Sequence, residues 1–243
     1  MPTVLILGAT SDIGIAIANK FAANGFAIQL AARRTEQLKS IQSDISIRHH
    51  VSTQIYSFDA TLYADHQRFF DGLVPKPDIV CCVFGLMEEE NLAFEQWELT
   101  ERMIATNYTG AVSVLNIIGR YFAAQKKGLI IGISSVAGER GRKSKLIYGS
   151  AKSAFSAYLA GLRNLLFEDQ VHVMTVKPGF VYTRMTENIH LPKILTATAA
   201  QVADAIYGAA EKKKNTIYVK WFWRYIMTII KLIPEFLFKK MNL

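Results

Sequence analysis

Val4-Leu5-Ile6-Leu7-Gly8-Ala9-Thr10-Ser11-Asp12-Ile13-Gly14 is the stretch on which the fold turns. Its first four residues form a short apolar run, the pattern of a strand buried on both faces. A glycine-bearing turn follows at once, and then a helical stretch from Ile15 to Asn24. A strand, a turn and a helix N-terminus in that order make a phosphate-binding corner, because exposed N–H groups and the positive end of the helix dipole favour an anion there. Gly8 permits the tight turn, and Gly14 permits close packing or the close approach of a pyrophosphate. Asp12 places a carboxylate near that anion, or else caps the helix by accepting backbone N–H bonds.

The next strand, Ala27 to Ala32, ends in Arg33-Arg34. In a dinucleotide fold this is where the adenosine ribose is read. An acidic residue there suits a free 2′-hydroxyl, whereas an arginine fork suits a 2′-phosphate. Two arginines therefore favour NADPH over NADH, the competing reading being that they merely begin a solvated helix. Farther along stands Tyr148-Gly149-Ser150-Ala151-Lys152, with Ser135 upstream. Residues at i and i+4 share a helix face. The lysine ammonium is thus expected to favour phenolate and lower the tyrosine pKa, so that Tyr148 passes a proton near neutral pH. On its own Tyr-x-x-x-Lys also fits a solvated helix face.

Together these motifs resemble the short-chain dehydrogenase/reductase family, from residue 3 to about residue 215. Gly8 and Gly14 match its glycine motif, whose middle glycine is Asp12 here, and Thr10, Ser11 and Ile13 complete the turn. Asp59 in Phe58-Asp59-Ala60 matches the acidic residue on the adenine side. Asn107 matches the active-site asparagine, and Ser135, Tyr148 and Lys152 the catalytic set. Pro178, Gly179, Val181 and Thr183 match the segment lining the nicotinamide. Where the family has Asn-Asn-Ala-Gly, this chain has Cys82-Val83-Phe84-Gly85, so only Gly85 survives and Phe84 adds bulk beside the cofactor. Those departures resemble a subset that includes the decaprenylphosphoryl keto-pentose reductases. The resemblance implies a Rossmann fold with NADP(H) preferred over NAD(H). It also implies carbonyl–alcohol interconversion, with Tyr148 as general acid, Lys152 holding the nicotinamide ribose and lowering the Tyr148 pKa, Ser135 orienting the carbonyl and Asn107 anchoring a water.

At 243 residues and 51% hydrophobic, the chain has the length for one α/β domain, residues 1–219. Alternating strand-like and helix-like stretches predict a doubly wound parallel sheet with helices on both faces. Ile79–Val83, Leu129–Ile133 and Val171–Val176 are expected inner strands, and Thr216–Val219 the last. The first strand begins almost at Met1, so no leader is expected and a cytoplasmic protein is the natural reading. Adjacent Cys81 and Cys82 point to opposite faces of a strand and do not pair. His49-His50 lacks metal-ligand spacing, and no metal is expected. The net charge of +8 comes with no nucleic-acid module. Arg140, Arg142, Lys143 and Lys145 beside Ser135, Lys212-Lys213-Lys214, and the tail suit a phosphate-bearing substrate and an anionic surface better.

The tail, residues 220–243, is apolar and aromatic. Lys220, Arg224, Thr228, Lys231 and Glu235 fall on one helical stripe, and apolar residues occupy the other sides. Arg224, Lys231 and Pro234 forbid a clean spanning helix. An interfacial helix over Trp221–Ile233 is expected, broken at Pro234, with Phe236–Lys240 as a second amphipathic piece. The competing reading packs the tail on the protein body or on another subunit of a homodimer or homotetramer. Arg184–Leu195, mixing Arg184 and Glu187 with Met185, Ile189 and Leu191, is expected to cover a lipid-like or lipid-linked substrate. A regulatory NADP(H)-binding protein with little catalysis is the alternative function, supported only by the altered Cys82–Gly85 stretch.

Overall fold

Two of the chain's features settle the architecture: consecutive strands of the main sheet are separated by helices, and the inner strands are apolar at most positions. The computed structural model describes residues 1–186 and 192–241. In order they form β1 (Thr3–Leu7), α1 (Asp12–Ala22), β2 (Ala27–Ala32), α2 (Glu36–His49), β3 (Thr53–Ser57), α3 (His66–Asp71) and β4 (Ile79–Cys82). Then come α4 (Glu90–Glu95), α5 (Trp97–Ile104), α6 (Gly110–Gln125), β5 (Gly128–Ile133), α7 (Leu146–Leu165) and β6 (Val171–Pro178). The last are β7 (Phe180–Tyr182), β8 (Thr196–Thr198), α8 (Ala199–Glu211), β9 (Thr216–Val219), α9 (Trp223–Leu232) and α10 (Glu235–Phe238).

Seven parallel strands form one sheet in the order β3-β2-β1-β4-β5-β6-β9. Such sheets bury both faces under crossover helices, and β1 shows it residue by residue. Val4 and Ile6 enter a cluster with Ile17 and Phe21 of α1, Leu38 and Ile45 of α2, and Ile206 of α8. Leu5 and Leu7 point the other way, to Phe70 of α3, Leu115 and Ile118 of α6, and Phe155 and Leu159 of α7. Cys81 and Cys82 split between the same two clusters as free, buried thiols, as the alternation of a strand requires. Strand order reverses between β1 and β4, so a crevice opens at their carboxyl ends.

Outside this pattern lies a short parallel ribbon of β7 and β8, which the sequence patterning did not indicate. The tail differs from expectation in its partners. Its main helix is α9, Trp223–Leu232, and Pro234 ends it with α10 beyond. The inner side of α9 packs on the body through Trp223 and Met227, in a third cluster with Val136, Leu195 and Tyr218. Trp221, Tyr225, Ile229, Leu232 and Phe236 remain exposed on its other side. Three members of the expected polar stripe are held by the body: Lys220 donates to the Ile194 carbonyl at 2.7 Å, Lys231 lies 2.6 Å from Glu139, and Glu235 2.8 Å from Arg140. Among the described residues, no helix is long and apolar enough to cross a membrane.

Candidate active site

A cleft of about 910 Å³ opens at the carboxyl ends of the central strands. The β1–α1 turn forms its floor. Gly8 adopts φ +91°, where a side chain is strained, and a Cβ there would meet the Phe84 backbone at 2.6 Å. A Cβ on Gly14 would meet the Gly8 carbonyl at 2.7 Å, so this glycine is needed for turn and helix to pack. Ser11 is the helix cap, its hydroxyl accepting from Gly14 N–H at 3.0 Å. Asp12 therefore does not cap α1. Its carboxylate accepts from the Arg184 backbone N–H at 2.7 Å and from Arg184 Nε at 3.0 Å, while Arg184 also donates to the Thr10 carbonyl. The carboxylate that replaces the expected glycine is thus neutralised by a cation across the cleft.

On the β2–β3 side, Arg33 is exposed and lines the cleft, and Arg34 stands back from it. Asp59 lines the same side, one oxygen accepting from Thr61 N–H at 2.9 Å and from Thr61 Oγ1 at 2.8 Å. Thr10, Ile13, Gly85, Pro178, Gly179, Val181 and Thr183 also reach the cleft. Gly14 and Asn107 lie behind it.

On the β5–β6 side stand Ser135, Tyr148 and Lys152. Ser135 follows β5 and caps a short turn, its hydroxyl accepting from Ala137 N–H at 3.0 Å. Lys152 is buried in the second turn of α7, with Nζ donating to the Ile133 carbonyl at 3.1 Å and standing 5.7 Å from the Tyr148 ring centroid. Burial pulls the Lys152 ammonium down to about 8. Burial likewise pushes the Tyr148 phenol up to about 12, with the Ser135 hydroxyl pulling the other way. The sequence predicted a lowered tyrosine; here desolvation of the phenolate outweighs a lysine that turns towards Ile133.

Asn107 sits in a wider, π-type turn, Ala105–Thr109, between α5 and α6. Its side chain accepts from Leu86 N–H at 3.2 Å and donates to the Leu86 carbonyl at 2.7 Å. It thereby holds the chain after β4 beside Lys152, and Gly85 leaves the space: a Cβ there would lie 2.9 Å from Asn107 Oδ1 and 3.4 Å from Lys152 Nζ. Phe84 packs on Phe58, with ring centroids 5.6 Å apart, and lines the cleft.

Several supporting residues were not found by sequence reasoning. Glu90 accepts from the N–H groups of Ile147 at 2.8 Å and Tyr148 at 3.2 Å, capping α7 directly at the tyrosine. Ser134 donates to the Lys152 carbonyl at 2.9 Å and tethers α7 to β5. Glu139 binds Lys177, Lys231 and the Tyr218 hydroxyl. Trp223 lies directly over Gly179, where a Cβ would fall 2.0 Å from the indole. The only signals for these contacts are a carboxylate's preference for helix N-termini and the aromatic richness of the tail. Arg140, expected to receive substrate phosphate, instead donates to the Ile230 and Ile233 carbonyls at the end of α9. Of the expected covering loop, Glu187, Ile189 and Leu191 lie outside the described residues.

Residues 2–193 match the family model described as short chain dehydrogenase. The chain belongs to that family. It is an oxidoreductase that uses a nicotinamide dinucleotide. An uncharacterised oxidoreductase of Mycobacterium tuberculosis is 29% identical, over 98% of this chain and 96% of its own. Another from Streptomyces coelicolor is 31% identical, over 98% and 95%. A short-chain dehydrogenase from Sphingobium yanoikuyae, solved in complex with NADPH, superposes with a TM-score of 0.82 at 22% identity, over 97% of each chain. The cleft of this short-chain dehydrogenase fits such a cofactor. The glycine turn has no room for Cβ atoms, Ser11, Asp12 and Ile13 at the start of α1 line the cleft, and Arg33 stands unpaired by any carboxylate among the described residues.

Proposed function

We propose that the protein interconverts a ketone and a secondary alcohol with NADP(H), on a substrate that is lipid-like or lipid-linked. The observation that carries this reading is the joint presence of Ser135, Tyr148 and Lys152 in one cleft with the Gly8–Gly14 turn and Arg33. When bound, the nicotinamide supplies the hydride in reduction. Tyr148, a phenol held protonated by its burial, donates the proton to the carbonyl oxygen. Ser135 hydrogen-bonds the same oxygen and stabilises the phenolate left behind. Lys152 supplies the nearby cation and holds the ribose, while Asn107 keeps the Leu86 segment in register and anchors water beside Lys152.

The α1 N-terminus, with Gly8, Thr10, Ser11 and Ile13, receives the pyrophosphate, Gly14 lets the turn pack behind it, and Arg184 offsets Asp12 at that site. Arg33, assisted by Arg34, receives the 2′-phosphate; Asp59 faces the adenine. Gly85 and the Pro178, Gly179, Val181 and Thr183 segment face the nicotinamide. Leu86, Met87, Val136, Phe180 and Met185 give the substrate side an apolar lining, which supports the lipid-like substrate. The exposed face of α9 and α10, flanked by exposed Arg224, Lys239 and Lys240, supports a peripheral contact with an anionic membrane.

The test follows NADPH oxidation at 340 nm against soluble ketones and lipid ketones. Tyr148→Phe is expected to abolish turnover and leave NADPH binding intact; normal turnover refutes the assignment. Arg33→Ala is expected to weaken NADPH far more than NADH, and equal losses refute the cofactor preference.

A further inference from the structure

Arg140 and Arg142 leave the same connector before α7 and meet opposite fates. Both terminal nitrogens of the Arg140 guanidinium are engaged: it donates to Ile230 and Ile233 carbonyls at 2.5 and 2.7 Å, pairs with Glu235 at 2.8 Å, and stacks 3.6 Å from the Phe238 ring centroid. Arg142 lines the cleft and has none of this. Its Nε is buried without a hydrogen-bond partner. Among the described residues its guanidinium pairs with no carboxylate, and only its backbone carbonyl is used, by Lys145 N–H at 3.1 Å. Burial without a counter-charge pulls the guanidinium below its ordinary value.

Lys145 lines the same part of the cleft, immediately before α7. Its Nζ finds only the Met87 sulfur, at 3.2 Å, a weak acceptor. Two carboxylates on the segment after Met87 are committed elsewhere. Glu90 is taken by the Ile147 and Tyr148 N–H groups, and Glu88 by Arg102 at 3.3 Å. A partly buried guanidinium with an orphaned N–H is costly unless an anion completes it. Its planar fork matches the paired oxygens of a phosphate or carboxylate.

We propose that Arg142 and Lys145 form an oxyanion subsite beside Tyr148 that receives a phosphate-type group of the substrate. This rests on the reading of the cleft as a carbonyl reductase site, and it narrows the substrate to an anionic one. Apolar Leu86, Met87 and Met185 in the same cleft would take the carbon chain attached to that group.

The experiment titrates NADP+-saturated protein with octyl phosphate, octanol and inorganic phosphate by calorimetry. Octyl phosphate is expected to bind at least about tenfold more tightly than octanol. Arg142→Gln should remove that advantage while leaving octanol and NADPH affinities unchanged, which also shows that the variant is folded. Arg142→Lys should retain part of it, and Lys145→Gln should lose less. Equal binding of octyl phosphate and octanol to the unaltered protein overturns the subsite. So does an Arg142→Gln variant that keeps the phosphate preference, or one whose NADPH affinity falls as far as its phosphate affinity. Inorganic phosphate binding as tightly as octyl phosphate, with the same dependence on Arg142, supports the anion chemistry and assigns a free oxyanion as its source. Failure of the unaltered protein to bind NADPH would instead sink the reductase reading, and Tyr148→Phe should bind octyl phosphate normally without turnover.

Discussion

Replacing Glu139 by glutamine should loosen the tail from the active-site wall, and the size of the effect follows from the structure. The Glu139 side chain is 5% exposed and meets Lys177, Lys231 at 2.6 Å and the Tyr218 hydroxyl at 2.9 Å. Burial by itself would raise its carboxyl; the two lysines outweigh burial and hold it at about 2, against an ordinary 4.5. Each pKa unit corresponds to about 1.4 kcal/mol, so the charged form contributes on the order of 3 kcal/mol at pH 7. Because the folded value lies below the unfolded one, that contribution is complete above about 4.5 and is lost as pH falls through about 2. By the same linkage it amounts to about 2 kcal/mol at pH 3.5. Glu139→Gln keeps hydrogen-bonding capacity but leaves Lys177, itself largely buried, without a counter-charge.

The assay is urea unfolding of both proteins at pH 7 and pH 3.5, with tryptophan emission followed in parallel. The variant should be less stable by about 2–3 kcal/mol at pH 7, a loss of roughly 4–12 °C in Tm for a chain of this size, and the gap should narrow at pH 3.5. Native-state emission should shift to the red as Trp223, buried in the unaltered protein, gains solvent. Equal stability at pH 7, or a gap that widens on acidification, would refute the reasoning.

Three further outcomes follow. Lys152 is 3% exposed and its ammonium is lowered to about 8; its charge therefore costs stability below about pH 8, and the cost is relieved as pH rises towards 10.5. Lys152→Met should raise stability by about 1–3 kcal/mol while abolishing turnover, and a lower Tm would contradict the assigned burial cost. Glu90→Gln should cost about 1–2 kcal/mol as a lost charged cap and lower kcat with little change in the KM for NADPH; an unchanged kcat would remove Glu90 from the positioning of Tyr148. The protein should co-sediment with anionic vesicles through its exposed tail, and Trp221→Ser with Ile229→Ser should abolish this. Unchanged sedimentation of the double variant, or concentration-dependent dimerisation without lipid, would give that face to another partner.

What was legible in the sequence was what depends on neighbours along the chain. The β1–α1 corner and the Tyr148–Lys152 spacing are local, and the alternating apolar strands give the layers directly, down to the opposed thiols of Cys81 and Cys82. What escaped depends on partners brought together by topology. Asp12 was read either as a carboxylate beside the glycine turn or as a helix cap, but the cation that neutralises it, Arg184, comes from 172 residues away. Glu90 reaches the α7 terminus from 57 residues upstream. The Tyr148 pKa was assigned the wrong direction because a lysine at i+4 is visible in sequence while burial is not. Ammonium and phenol share a helix face, yet the ammonium donates to Ile133.

The tail shows why composition alone misleads. An apolar helix interrupted by regularly spaced cations is the pattern of an interfacial helix, and equally of a helix clamped by protein on one side. Here one side of the element is clamped by the body and the other is left exposed. Trp223 and Met227 close the wall over Gly179 and Val136, and Lys231 and the end of α9 are fastened to Glu139 and Arg140 on the serine-bearing connector. Trp221, Tyr225, Ile229 and Leu232 are left outside. Because Arg140 is consumed in this clamp, the positive charge left to line the cleft from that connector belongs to Arg142 and Lys145. The tail therefore does more than offer a surface. By fixing Arg140 it determines which cations of a basic cluster remain available at the cleft, and it sets the wall beside Ser135 against which a substrate must fit.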